Sequence, residues 1–137
     1  MVLYMAADVV LRTLADDGPQ PLTVRPINDV EDSVRHHFSK RYIYFLGSHT
    51  GCSCGFSYGF GLDTDPDGRE SVSQLGSYLA EAVRQAGEVE LYACWDGDEP
   101  ELPRGSARVD VAHFSGNQDE FQLAERWFAI VGPPLRS

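Results

Sequence analysis

The sequence predicts one compact α+β domain: a mixed or antiparallel sheet with a central hairpin, a main helix over residues 71–86 and a short helix over 29–38. Three observations predict it. Several short segments alternate apolar and polar residues at the strand period of two, one longer segment carries an apolar stripe at the helical period, and clusters of Gly, Pro and Asp separate them. A chain of 137 residues has room for one core, so residues 1–137 form a single domain, and 42% hydrophobic content is enough to fill it.

Val2–Ala6 reads as a strand, and Asp16–Pro21 as a loop from its turn residues. Leu22–Ile27 alternates, and Pro26, which lacks an N–H, marks an edge strand or a strand end. Asn28 or Asp29 caps a helix running to about Phe38, with Val30, Val34 and Phe38 on one stripe. Tyr42–Leu46 is apolar on both faces and rich in β formers, the pattern of a central strand. Phe56–Phe60 alternates aromatic and small residues and supplies the second arm of the hairpin.

After an acidic loop at Gly61–Glu70, Ser71-x-x-Gln74 matches a capping box. Val72, Leu75, Leu79, Ala82, Val83 and Ala86 then form one stripe, and Gly87 suits the position just past the helix. Val89, Leu91, Ala93 and Trp95 make one face of a strand, with Glu90, Tyr92 and Cys94 on the other. A second acidic loop, Asp96–Glu101, precedes a short strand at Arg108–Phe114. Phe121–Val131 would be apolar over more than half its circumference as a helix, and is read as a strand with Phe121, Leu123, Trp127, Ala129 and Val131 on one side.

Charge narrows the partners. The net charge is −10, from 21 acidic against 11 basic residues, and Lys40 is the single lysine. Such a surface repels phosphate backbones and anionic lipid, which excludes nucleic acid and membrane surfaces and leaves a small ligand, a cation or a basic protein. The opening residues have no basic stretch, and Asp8 interrupts their apolar run, unlike a signal peptide. With three cysteines, an odd count, a secreted disulfide scaffold is not expected, and the location expected is cytoplasmic.

The chemically distinctive stretch is Gly47-Ser48-His49-Thr50-Gly51-Cys52-Ser53-Cys54-Gly55-Phe56. His49, Cys52, Cys54 and Ser48 are its candidate ligand-binding residues. Cys52 and Cys54 are two apart, so extended backbone points both thiols to one face, as one soft metal such as zinc requires. His49 would be a third ligand and Cys94 a fourth, although Cys-x-Cys forces a tighter chelate than the usual Cys-x2-Cys. Alternatively His49 stabilises a thiolate, as in a cysteine-dependent enzyme, but the loop offers no Asp or Asn to orient the imidazole. A third reading is structural: the glycines permit a long hairpin connection, and the cysteines fill space as small apolar residues.

If Tyr42–Leu46 and Phe56–Phe60 form a hairpin and the helix crosses back, the next strand runs parallel to the second arm. Cys94 then lies beside the acidic loops, away from Cys52 and Cys54. Asp63-Thr64-Asp65-Pro66-Asp67-Gly68 opens like a calcium loop, with Asp63, Asp65 and Asp67 as ligands, but Gln74 stands where the closing Glu belongs. Asp96–Glu99 would share that edge. His36 and His37 read as surface or second-layer residues, and His113 has no partner in sequence. No nucleophile elbow, P-loop or dinucleotide fingerprint is present.

The string GSHTGCSCGF resembles one carried by small bacterial proteins of unassigned function. The resemblance spans ten residues and implies no activity, cofactor or catalytic residue. The residues point to a ligand- or partner-binding module presenting the 47–56 loop, with a zinc-like site at His49, Cys52 and Cys54 or a cysteine-dependent enzyme as the alternatives.

Overall fold

The computed structural model describes residues 2–14, 21–48, 53, 66–111 and 126–133, with only the backbone of 66, 68 and 69. Their elements are β1 (Val2–Ala7), β2 (Thr23–Pro26), a 3-10 helix (Asp29–His37), β3 (Tyr42–Gly47), α1 (Pro66–Ala86), β4 (Val89–Cys94), β5 (Gly105–Asp110) and β6 (Trp127–Gly132). The six strands form one mixed sheet in the order β2-β3-β1-β4-β6-β5. Only β5 and β6 pair in parallel; the other neighbours are antiparallel. The domain is α+β, as expected from the periodicities.

The central strands are apolar on both faces because both faces are covered. On one, α1 lays Val72, Leu75, Leu79, Ala82 and Val83 against Leu3, Met5, Leu46, Leu91 and Val131. On the other, Val34 of the 3-10 helix packs with Tyr4, Ile43, Phe45, Tyr92, Cys94 and Phe128. Glu90 faces this second layer with a buried carboxylate, which accepts from Ser39 N, Ser39 Oγ and Lys40 N and so holds the chain leaving the 3-10 helix.

Helix boundaries follow local chemistry. Asn28 is a true cap: its side chain accepts from Glu31 N while Glu31 accepts from Asn28 N. The stripe expected over 29–38 is only partly realised, since the helix winds as 3-10, with three residues per turn, and leaves Val30 87% exposed. The main helix begins at Pro66, five residues before the expected start, and Ser71 is a buried interior residue, not a cap. Proline suits the first helical position because its missing N–H would have had no partner there, and Asp67 in the first turn complements the dipole. Gly87 closes the helix as expected: its φ is +86° and its N–H donates to Val83 O at 2.8 Å.

Pro26 ends β2 at the sheet edge, in keeping with its missing donor. The strand expected at 108–114 lies at Gly105–Asp110, and the strand expected at 121–131 is found as β6. Phe56–Phe60 and residues 112–125 with His113 lie outside the described residues, but the hairpin expected between Tyr42–Leu46 and Phe56–Phe60 is not the pairing found: β3 is bonded to β2 along one edge and to β1 along the other.

One topological expectation reverses. β1 is inserted between β3 and β4 and antiparallel to both, so β3 and β4 run the same way. The connection through α1 therefore returns the chain to start β4 level with the start of β3. Cys94, opposite Val2, ends β4 at the edge where β3 also ends, not at the far end of the sheet.

Candidate functional site

Ser53 is the one described residue between Ser48 and Pro66, and it is buried. Its hydroxyl accepts from Leu3 N at 2.8 Å and donates to Leu46 O at 2.6 Å. Leu3 and Leu46 are cross-strand partners, so this hydroxyl bridges β1 and β3 at their shared end. Ser48, just past β3, is also buried. His49, Cys52 and Cys54, with Asp63 and Asp65, lie outside the described residues.

Beside Ser53, on the face covered by the 3-10 helix, lies a cleft of about 340 Å³. Val2, Tyr4 and Phe45 give it an apolar side, and Glu31, Asp96 and Glu99 give it carboxylates. Glu99 is only 6% exposed, and its oxygens accept from Tyr4 Oη and Gly97 N, each at 2.8 Å. Gly97 has φ +99°, which turns the chain after β4 and folds Glu99 back beneath the sheet. Two further aromatic side chains fix the same loop: His37 Nε2 lies 2.7 Å from Glu99 O, and Tyr92 Oη donates to Glu101 O at 2.6 Å. His37 in turn lies against the Tyr92 ring, centroids 4.5 Å apart.

The opposite wall is a different arrangement of the same groups. Arg25 donates both arms of its guanidinium to Glu31, at 2.8 and 3.0 Å, and lies 4.2 Å over the Phe45 ring. Burial alone would raise the Glu31 carboxyl, but the bonds from Arg25 and Asn28 outweigh it and hold the group below its ordinary value. Burial raises the Tyr4 hydroxyl, and the bond and charge of Glu99 raise it further, so Tyr4 remains a donor. Burial also pushes the Cys94 thiol up to about 12, reinforced by Glu99 and Asp98. Cys94 is therefore a neutral, enclosed thiol rather than an activated nucleophile.

Of the calcium-loop candidates, Asp67 is described, and it is an exposed residue of the first turn of α1. A helix starting at Pro66 is incompatible with a calcium loop extending to Gln74, whose side chain donates instead to Glu70. Among the described residues no three His, Cys, Asp or Glu side chains are grouped to hold a metal ion. No helix among them is long and apolar enough to cross a membrane. No family model, curated protein or solved structure matches the chain.

Reading the sequence singled out Ser48 and the cysteines but passed over Ser53 and Tyr4, and took Glu99 only as one acid of the Asp96–Glu99 loop. Tyr4 carried a faint signal, a polar tip in an otherwise apolar strand, which needs a buried partner. Nothing local distinguishes Glu99 from the other acids of its loop, because its burial depends on the turn at Gly97.

Replacing Ser53 by Ala should destabilise the domain by about 1–3 kcal/mol, since it leaves the Leu3 N–H and the Leu46 carbonyl without the bridging hydroxyl. Urea unfolding would read this, with Ser106→Ala on the exposed strand β5 as a near-silent control. Acid should weaken the fold in two stages. His37 is held below its ordinary value of 6.5, chiefly by burial and also by His36, with the Glu99 carbonyl opposing. Folded His37 and Glu31 each bind fewer protons than when unfolded, so stability falls with pH, from 6.5 downward for His37 and from 4.5 downward for Glu31. Urea midpoints measured between pH 7 and 3 would check this; His37→Gln should flatten the first stage, and an unchanged slope would remove His37 as its cause.

Proposed function

We propose that the chain is a ligand- or partner-binding module whose binding surface is the 47–56 loop, with His49, Cys52, Cys54 and Ser48 as its contacting side chains. One observation carries the reading: Ser53, inside that loop, is bound to Leu3 and Leu46 at the rim of an amphipathic cleft. A loop held at its middle by a rigid sheet loses less freedom on binding than an untethered one. An apolar surface joined to a few converging polar groups is the usual make-up of a small-molecule site. The described thiol at this edge, Cys94, lends no support to a cysteine-dependent reaction, because it is enclosed and burial raises its pKa.

A zinc-like site at His49, Cys52 and Cys54 is the second reading. It is favoured by the position of Cys94, which ends β4 at the edge where Ser53 is bound and so offers a fourth ligand there. Elemental analysis of the full chain, purified without an affinity tag, should then find about one metal ion per chain; a content well below that ends this reading.

The binding role is tested by thermal-shift screening of the full chain against small amines, carboxylates, phosphates and divalent cations. A ligand at a hundred times its Kd adds about 2.7 kcal/mol, which raises the midpoint by several degrees in a domain of this size. The expected hit loses its effect on the triple variant His49→Ala, Cys52→Ser, Cys54→Ser. Hits that stabilise the triple variant equally would remove the loop from the binding surface.

A further inference from the structure

We infer that the cleft between β1 and the 3-10 helix binds an organic cation, an ammonium or guanidinium on a short apolar stem, with the Glu99 carboxylate as its counter-ion. The inference rests on the reading that this edge of the sheet binds a ligand, and it names the ligand's chemistry; it does not depend on the side chains of the 47–56 loop.

The first support is a buried charge with no counter-ion among the described residues. Glu99 is 6% exposed, and its hydrogen-bond partners among the described residues are neutral, Tyr4 Oη and Gly97 N. Among the described residues it has no cation within ion-pair distance. A buried carboxylate is costly unless paired, and each of its oxygens keeps a lone pair after accepting one hydrogen bond. The second support is the neighbouring pair of groups in the same cleft. There an aromatic ring, Phe45, and a carboxylate, Glu31, together hold a guanidinium, that of Arg25, by stacking and by two charge-assisted bonds. Tyr4 and Glu99 repeat that combination, with the Tyr4 and Phe45 rings edge to face at 6.4 Å, but no cation of this chain serves them among the described residues. One half of the cleft thus holds a cation of the chain, and the described residues of the other half carry the same chemistry.

Size and field agree. A volume of about 340 Å³ falls at the small end of ligand pockets, which suits a compact molecule and not a large cofactor. Val2 and the two rings line the apolar part, matching an alkyl stem. Asp96 adds a second carboxylate to the wall, and the chain's net charge of −10 draws cations toward it.

The test is titration of the full chain with n-butylammonium and n-butylguanidinium, followed by calorimetry and by backbone amide NMR, with n-butanol as the uncharged comparison. Either cation should bind at least tenfold more tightly than the alcohol and shift the amides of Gly97 and Leu3. Raising sodium chloride from 50 to 500 mM should weaken the cation and leave the alcohol unchanged. Glu99→Gln should weaken the cation at least tenfold, whereas Glu81→Gln, the same change of charge on α1, should not. Blocked lysine amide stands for a partner's side chain: tighter binding than n-butylammonium assigns the cleft to a basic protein, and weaker binding to a free amine. Equal affinity for alcohol and cation, or a cation affinity indifferent to both salt and Glu99→Gln, overturns the inference, and the salt comparison decides even if that variant misfolds. Cation binding that survives the His49, Cys52 and Cys54 triple variant leaves this inference standing while the loop reading falls.

Discussion

β1 is hydrogen-bonded along both edges and packed on both faces, and every side chain from Leu3 to Ala7 is buried. Its antiparallel pairing with both neighbours obliges β3 and β4 to run in one direction and to end side by side. That constraint brings together segments far apart in sequence: Ser53 after β3, the acidic turn after β4, and the first residues of β1. A strand pairing of the ordinary hairpin kind would have scattered them. The register also decides chemistry, since Tyr4 and Cys94 face the 3-10 helix while Leu3 and Ala93 face α1.

The second face of the sheet is unusual in what its aromatic residues do. Tyr4, Tyr92 and the neighbouring His37 contribute apolar bodies to the packing, and their polar tips each hold one point of the turn after β4. The loop is thus positioned by the sheet rather than by its own sequence. Its carboxylate at Glu99 sits inside the fold because donors are waiting there, whereas Asp67 and Glu70, equally acidic in sequence, remain at the surface.

Much of the architecture was legible because it rests on local rules. Short apolar runs located β1 and β3, alternating faces located β4, Pro26 marked an edge strand, Asn28 announced the 3-10 helix, and Gly87 marked the end of α1. The start of α1 was missed because two valid signals competed: Ser71 and Gln74 satisfy a capping box, yet Pro66 and Asp67 begin a helix as well and lengthen it by more than a turn. The position of Cys94 was misjudged for a different reason. Strand order is a non-local property, and no periodicity reports that β1 will be inserted between two strands joined by a helix. The cleft was illegible for the same reason, because Tyr4, Phe45 and Glu99 belong to three separate segments. The loop at residues 49–52 and 54–65, the most conspicuous in sequence, is outside the described residues, so Ser53 alone connects its chemistry to the sheet.

The central placement of β1 also bears on how the chain comes to be folded. Leu3 meets Leu46 and Ala93, partners 43 and 90 residues further along the chain. On the ribosome, β1 therefore emerges well before either neighbour exists, an apolar segment with both ladders open. Contacts of such separation slow folding, and an unpaired strand of this kind is a nucleus for aggregation. The helical segments can form as they appear, but β1 is flanked on both sides only once β4 has been made, and the sheet is complete only with β6. Expression at low temperature or with a holdase chaperone should matter more for this domain than its modest size suggests.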